Sequence, residues 1–486
     1  MNNLRIPSLT LLLLFIFTTH TSAQLEFYDK DAQKNISLKT AYQFQMKALP
    51  PAGNVLRSAN PAWFEEYMIS MQEELLYPGV SACVLKGGQV FWKSHHGLAN
   101  VWNAVPVTDE TAYTVASISK TIMITAVMQL YEQQLFGLED DISDHIPFLV
   151  RNFNFPDDVI TIKQLMTHTS SIGDNYTILN DHFFPGGDNP VAMDDFLEGY
   201  LTEGGEYYMT QNFYAYSPGA TINYTNVGSC LLAYLVEVLS GQDFESYCQE
   251  HVFGPLGMEE TSYLFASLDP ENLATPYTIQ GTTVYLDQQY SWPIYPIGNL
   301  KVSALQLAKH LCMYMNQGTY NNAVVLQSET IDLITGHHYI NPNLNAYFGL
   351  IWFIDPYPWF YSHTGRWIGF NTMYGFSKDE NYGMVWLSNG DNYDQMGQTA
   401  TLWYDLILYS AQYEPFPIEA MDIADEDGDG ILEAGEEVDL FLSIRNYTNL
   451  LDSVSDLEIS ISSTSTQVGM ITDPVTAPGN LLYQAT

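Results

Sequence analysis

The chain has 486 residues and carries 16 Lys and Arg against 56 Asp and Glu, a formal net charge of -40. So acidic a chain repels polyanions, which argues against nucleic acid and anionic membrane surfaces as partners. Hydrophobic residues make up 46% and aromatics 14%, enough for a large core and too rich for a disordered or low-complexity protein.

Residues 1–23 read as an export signal. Arg5 supplies the positive start, Leu9 to Phe17 is nearly all apolar, and Thr21-Ser22-Ala23 resembles a small-residue cleavage site. The apolar run is too short to span a bilayer, so removal without membrane insertion and a secreted or periplasmic location are expected. Residues 24–60, punctuated by Pro50-Pro51, form a lead-in segment to a domain expected over 61–411.

Within that domain, Trp63 to Leu76 has helical apolar spacing (Phe64, Met68, Met71, Leu75) and is broken by Pro78-Gly79. Val80 to Leu85 and Gln89 to Lys93 are strand-like runs that flank Gly87-Gly88, a hairpin signal. Next comes Ala112-Tyr113-Thr114-Val115-Ala116-Ser117-Ile118-Ser119-Lys120-Thr121, leading into an apolar run to Gln134. A helix starting near Ser117 places Ser117 and Lys120 one turn apart on one face. A serine hydroxyl needs a base within hydrogen-bond reach. Burial and the positive end of a helix are the two influences that can lower a lysine pKa enough to supply one. Alone, the pair also fits an ordinary helix cap.

From about Asp140 to Leu300 helices alternate with long polar loops. Ile162 to Met166 is a short helix before Thr167-His168-Thr169-Ser170-Ser171, Val227 to Leu239 is a buried helix ended by Gly241, and Phe244 to His251 starts another. Ahead of the Val227 helix, Tyr224-Thr225-Asn226 in an extended segment would point both outer side chains the same way. A tyrosine beside cations can serve as phenolate base, and an asparagine amide can grip a substrate carbonyl. Ala304 to Met315 is an amphipathic helix that stops at Gly318.

Aromatic-rich strands are expected at Phe348 to Ile354, Trp359 to His363, Gly369 to Phe376 and Gly383 to Ser388, with a closing helix from Gln398 to Ala411. In Tyr361-Ser362-His363-Thr364-Gly365, Gly365 would let a substrate backbone approach and His363 would place a titratable donor in the cleft. The layout implies an α+β fold, with one antiparallel sheet assembled from both ends of the chain, flanked by helices and interrupted by a large helical insertion. Cys83, Cys230, Cys248 and Cys312 lack metal-ligand spacing. Cys230 and Cys248 could pair across two helices, or all four could be buried thiols.

Past a linker at 412–420 the chemistry changes. Residues 425–436, Asp-Glu-Asp-Gly-Asp-Gly-Ile-Leu-Glu-Ala-Gly-Glu, match the calcium loop D-x-D-x-D-G-x5-E. Asp425, Asp427 and Asp429 would give carboxylates, Ile431 its carbonyl and Glu436 a bidentate ligand. Val438, Leu440, Leu442 and Ile444 then alternate as a strand does. Residues 421–486 are therefore expected to form a small or incomplete β-sandwich-like module with a structural Ca2+.

Ser-x-x-Lys, Tyr-x-Asn and His-Thr-Gly in this order resemble the penicillin-binding protein and class C β-lactamase family of serine hydrolases. Pro78-Gly79-Val80-Ser81, Leu165 to Ser170, Pro255-Leu256-Gly257-Met258 and Gly298-Asn299-Leu300 look like further landmarks of that family, and the resemblance covers roughly 60–411. It implies a β-lactamase/transpeptidase-like fold and an exported hydrolase without a catalytic cofactor. Small esters or D-amino-acid amides and peptides would be its substrates. In that scheme Ser117 forms an acyl-enzyme, Lys120 and Tyr224 share its proton, and Asn226 orients the acyl-side amide. His363, Thr364 and Gly365 line the substrate, and the backbone N–H groups of Ser117 and Arg366 make the oxyanion hole. His363 stands where β-lactamases carry lysine, which brings the chain closer to esterase and D-aminopeptidase members and makes efficient β-lactam hydrolysis doubtful. Arg366-Trp367 replaces a small, Gly-rich continuation and should narrow the cleft, and Ser171 replaces a usual Gly. A catalytically silent binder of peptidoglycan or peptides is the alternative reading.

Overall fold

The computed structural model describes residues 61–392, apart from 342–345, 357–358 and 380, and six short strands outside that span. The expected signal, the closing helix and the calcium loop lie outside the described residues. One of the six strands, Asp439–Ile444, falls on the alternating run Val438 to Ile444 and pairs antiparallel with Ile418–Ala424.

The principal sheet has nine strands. In chain order they are β1 (Gly79–Lys86), β2 (Gln89–Asn100), β3 (Val105–Pro106), β4 (Tyr339–Asn341), β5 (Ala346–Phe348), β6 (Phe353–Pro356), β7 (Trp359–Trp367), β8 (Phe370–Ser377) and β9 (Tyr382–Ser388). Their order across the sheet is β4-β5-β6-β7-β8-β9-β1-β2-β3, antiparallel throughout. The two ends of the domain meet where β9 pairs with β1, from Ser388 against Val80 to Tyr382 against Lys86.

Both faces of this sheet are covered, so its central strands are buried along their whole length. In β1, Val80, Ala82 and Val84 face one way and join Tyr67, Met68, Met71 and Leu75 of helix α1 (Pro61–Leu75) with Trp92, Met384 and Trp386. The alternate residues Cys83 and Leu85 enter the larger core on the opposite face. That core is built on α2 (Ser119–Glu132), α3 (Ile162–Met166), α4 (Asn226–Ser240) and α5 (Ala304–Met315). Eleven of the fourteen residues of α2 are buried, and α4 packs against it. Such an all-round apolar helix is stable only inside a protein.

Two local expectations change, and the open choice for the cysteines is decided. The run Phe348 to Ile354 is two strands rather than one, because its middle is tied elsewhere: Leu350 N donates to Ile334 O at 2.9 Å and Ile351 N to Met166 O at 2.8 Å, with Ile351 at φ 71. Phe244 to His251 begins as an α-helix but widens into a π-turn from Gln249 to Phe253. All four cysteines are buried free thiols. Among the described residues no helix is long and apolar enough to cross a membrane.

Candidate active site

Ser117 is not the first residue of a regular helix. It lies in a 3-10 turn, Ala116–Ile118, that feeds directly into α2, and Ala116 has φ 46, a conformation that strains any residue with a Cβ. The turn is held from three sides. Val115 N donates to Leu300 O at 2.9 Å, Ser119 Oγ donates to Ala116 O at 2.6 Å, and Thr372 Oγ1 of β8 donates to Val115 O at 3.0 Å. Ser117 alone in this stretch stays partly exposed.

Lys120 lies one turn further, fully buried, and its Nζ donates to Ser117 Oγ at 3.1 Å, Asn226 Oδ1 at 2.9 Å and Ile297 O at 3.0 Å. Burial lowers its pKa to about 7, against the opposing pull of the Asp174 carboxylate. A large fraction of the amine is therefore neutral near pH 7 and able to accept a proton.

Tyr224 immediately precedes the α4 N-cap Thr225, and Asn226 is the first residue of the helix. The segment is a loop running into a helix rather than a strand, yet both side chains reach the cleft. Lys120 Nζ sits 4.9 Å from the Tyr224 ring centre. The Tyr224 hydroxyl is buried, which pushes its pKa up. The Ser117 hydroxyl partly offsets this, although no hydrogen bond of standard geometry closes onto the phenol. The phenolate expected from sequence is thus disfavoured, and the phenol remains a proton donor. Asn226 also differs from expectation. Its Oδ1 accepts from Lys120 and its Nδ2 donates to Asp174 Oδ2 at 2.8 Å, so the amide is engaged within the protein.

His363, Thr364 and Gly365 lie on β7. His363 is 1% exposed, its ring 6.4 Å from that of Tyr224, and burial lowers its pKa to about 3. It is a neutral imidazole behind Tyr224 rather than the titratable donor expected in the cleft. Its Nδ1 donates to Thr364 O at 2.8 Å. Gly365 is needed for a close approach, but to the protein's own backbone: a Cβ there would lie 2.0 Å from Val115 O. It brings β7 against the Ser117 turn.

The cleft in front of Ser117 has a volume of about 170 Å³ and is walled by Tyr176, Leu179, Trp292, Ile294, Ile297 and Trp367. Trp292 meets Trp367 edge to face at 4.7 Å and donates its Nε1 to Leu179 O at 3.1 Å. Arg366 is on the rim, and its Nε donates to Asp391 Oδ1 at 2.7 Å. Arg366 and Trp367 both line the cleft, as a cation paired with Asp391 and as part of an aromatic wall.

Sequence reasoning missed Asp174, whose carboxylate binds the first turn of α4, and assigned no role to His168. The His168 ring lies 4.4 Å from that of Tyr224. Its Nδ1 accepts from Thr225 N at 3.3 Å, and burial drives its pKa well below the usual histidine range. Ser171 now has an explanation. It adopts φ 63, where glycine is easiest, and is held there by Asn152 Nδ2 donating to its Oγ at 2.8 Å and Tyr214 N to its carbonyl at 2.9 Å. No group of three His, Cys, Asp or Glu among the described residues is placed to hold a metal. The expected ligands Asp425, Asp427, Asp429, Ile431 and Glu436 are not among those residues.

The β-lactamase family model matches residues 64–408, from α1 past β9 and across all three motifs. The chain belongs to the β-lactamase family. This is a family of serine hydrolases that includes penicillin-binding proteins. The Staphylococcus aureus (strain N315) protein flp is 26% identical over 318 residues, which span 64% of this chain and 59% of that protein. The match therefore takes in less than two thirds of this relative's length. Among solved structures, the octameric penicillin-binding protein homologue from Pyrococcus abyssi superposes with a TM-score of 0.57 at 22% identity, over 76% of this chain and 84% of its own. EstCE1, a hydrolase with promiscuous acyltransferase activity, gives 0.58 at 18% identity over 72% and 98%. At these identities both likenesses speak to the fold, which is β-lactamase/transpeptidase-like.

Proposed function

We propose that the protein is an exported serine hydrolase that works through a Ser117 acyl-enzyme on small esters or D-amino-acid amides and peptides, with acyl groups that lack a carboxylate preferred. The observation that carries this is the buried Lys120 amine, its pKa lowered to about 7, 3.1 Å from Ser117 Oγ on the floor of an open cleft. Lys120 takes the Ser117 proton as Oγ attacks the substrate carbonyl. The Tyr224 phenol, kept protonated by burial, relays a proton to the leaving alcohol or amine. The backbone N–H groups of Ser117 and Arg366 are assigned to the oxyanion, a role worth about 3 kcal/mol per donor. Water then releases the acid and restores Ser117. The acyl preference rests on the wall of Trp292, Trp367, Leu179 and Ile297, and on the absence of a lysine at His363. The nearest rim cation, Arg366, is committed to Asp391. A substrate carboxylate would find little compensation there.

The test is incubation of the protein and its Ser117→Ala variant with a fluorophosphonate probe, p-nitrophenyl esters and D-alanyl p-nitroanilide. Labelling and turnover confined to the unaltered chain establish the nucleophile, and the better substrate divides esterase from aminopeptidase. Equal behaviour of the two proteins would overturn the assignment and leave the cleft as a binding site.

A further inference from the structure

Asp174 follows the strained Ser171 turn and lies opposite the start of α4. Its Oδ1 accepts from Thr225 Oγ1 at 3.1 Å, Asn226 N at 2.9 Å and Val227 N at 3.0 Å. Its Oδ2 accepts from Asn226 N at 2.9 Å and Asn226 Nδ2 at 2.8 Å. Part of this is ordinary anchoring, since a carboxylate suits the unpaired N–H groups and positive end of a helix. The bond to the side-chain amide does something more. An ionised carboxylate only accepts, so it fixes the NH2 end of Asn226 on Asp174 and turns the carbonyl end, Oδ1, to Lys120.

That orientation matters for the proton on Ser117. As an ammonium, Lys120 has three N–H bonds for its three neighbours, Ser117 Oγ, Asn226 Oδ1 and Ile297 O. As a neutral amine it has two N–H bonds and one lone pair. Asn226 Oδ1 and Ile297 O carry no hydrogen, so both must take the N–H bonds. The lone pair is left facing Ser117 Oγ, the one neighbour with a proton to give. Were the Asn226 amide reversed, its NH2 would donate to that lone pair and compete with the serine. We propose that Asp174 is a positioning residue which, by fixing the Asn226 amide, reserves the Lys120 lone pair for the Ser117 proton. The inference rests on the hydrolase reading above.

The experiment measures the rate of fluorophosphonate attachment to the Ser117 peptide, by mass spectrometry across pH, for the unaltered chain, Asp174→Asn, Asn226→Ala and the double variant. Asp174→Asn should slow labelling roughly 10- to 100-fold, the scale of one hydrogen bond to a charged group. Its acid limb should move to lower pH, because the carboxylate that holds the Lys120 pKa up is gone. In the Asn226→Ala background the same change should cost almost nothing more in rate, since Asp174 acts through Asn226. Additive losses in the double variant, or an Asp174→Asn rate equal to the unaltered one, overturn the proposal and leave the nucleophile assignment standing. Failure of the unaltered chain to label at Ser117 overturns the hydrolase reading and this inference with it. Should Asp174→Asn not fold, Asp174→Glu and Asp174→Gln decide at matched length. Glu alone is acceptor-only and should label faster than Gln, and equal rates would sink the idea.

Discussion

Gly365 lies so close to Val115 that a methyl group added at the glycine would stand 2.0 Å from the Val115 carbonyl oxygen. The contact seats strand β7 on the 3-10 turn of Ser117, and Thr372 Oγ1 bridges the two by donating to Val115 O at 3.0 Å and Gly365 O at 3.1 Å. Gly365→Ala is therefore expected to push turn and strand apart. The stability cost should be about 1–3 kcal/mol, the range for overpacking. Thermal unfolding and p-nitrophenyl ester turnover measured together should fall together, and a fully active, equally stable variant would contradict the seating role.

Activity should follow the protonation of Lys120. A general base works only when deprotonated, so kcat/KM should rise with pH through about 7 and be lost below it. Lys120→Met removes the base and should lower kcat/KM by roughly 10^4-fold or more. A pH profile flat between 5 and 9 would place the proton acceptor elsewhere.

Acid should destabilise the fold at pH values above the ordinary carboxylate range. His363 and His310 are buried with pKa values lowered to about 3, and His168 is driven well below the usual range. For each, the unfolded chain binds a proton near pH 6.5 that the folded protein refuses. Their stabilising effect is thus complete above about 6.5 and lost progressively as pH falls toward 3. The loss can reach about 1.4 kcal/mol per pH unit for each histidine. Chemical denaturation at pH 7 and pH 5 should show it, and His310→Gln, which keeps a neutral donor near Thr125 Oγ1, should flatten the slope.

Trp367 should set the length of acyl chain the cleft accepts. Its ring closes the pocket against Trp292. Trp367→Ala should improve the kcat/KM ratio of octanoate over acetate p-nitrophenyl esters by about 10-fold or more, since even one methylene changes specificity by about 1–3 kcal/mol. An unchanged ratio would move the acyl group to another part of the cleft.

The Ser117–Lys120 pair was legible because it needs only local spacing: the two residues meet through one turn of chain, whatever the exact helix start. The first hairpin was legible for a similar reason, because the strand-like runs Val80 to Leu85 and Gln89 to Lys93 flank the Gly87-Gly88 turn directly. Asp174 was not, since its partners stand about fifty residues away and nothing in its neighbours marks it. The roles of His363 and Gly365 were misread for the same cause. Sequence showed which residues were present, but their burial and the carbonyl facing Gly365 come from distant segments. Ser171 is the reverse case. The departure from glycine was visible, while the hydrogen bond from Asn152 that makes it tolerable was not.

The seam between β9 and β1 joins residues about three hundred positions apart. Long-range pairing of this kind pays its loop-closure entropy late, and folding is correspondingly slow. Ser117 is encoded early, but β7 and β8, which brace its turn, are made long after it. A growing or truncated chain that stops short of β9 holds Ser117, but its β7 and β8 lack the strand that joins them to β1. Competence should therefore arrive in one step, when the last strand closes the sheet.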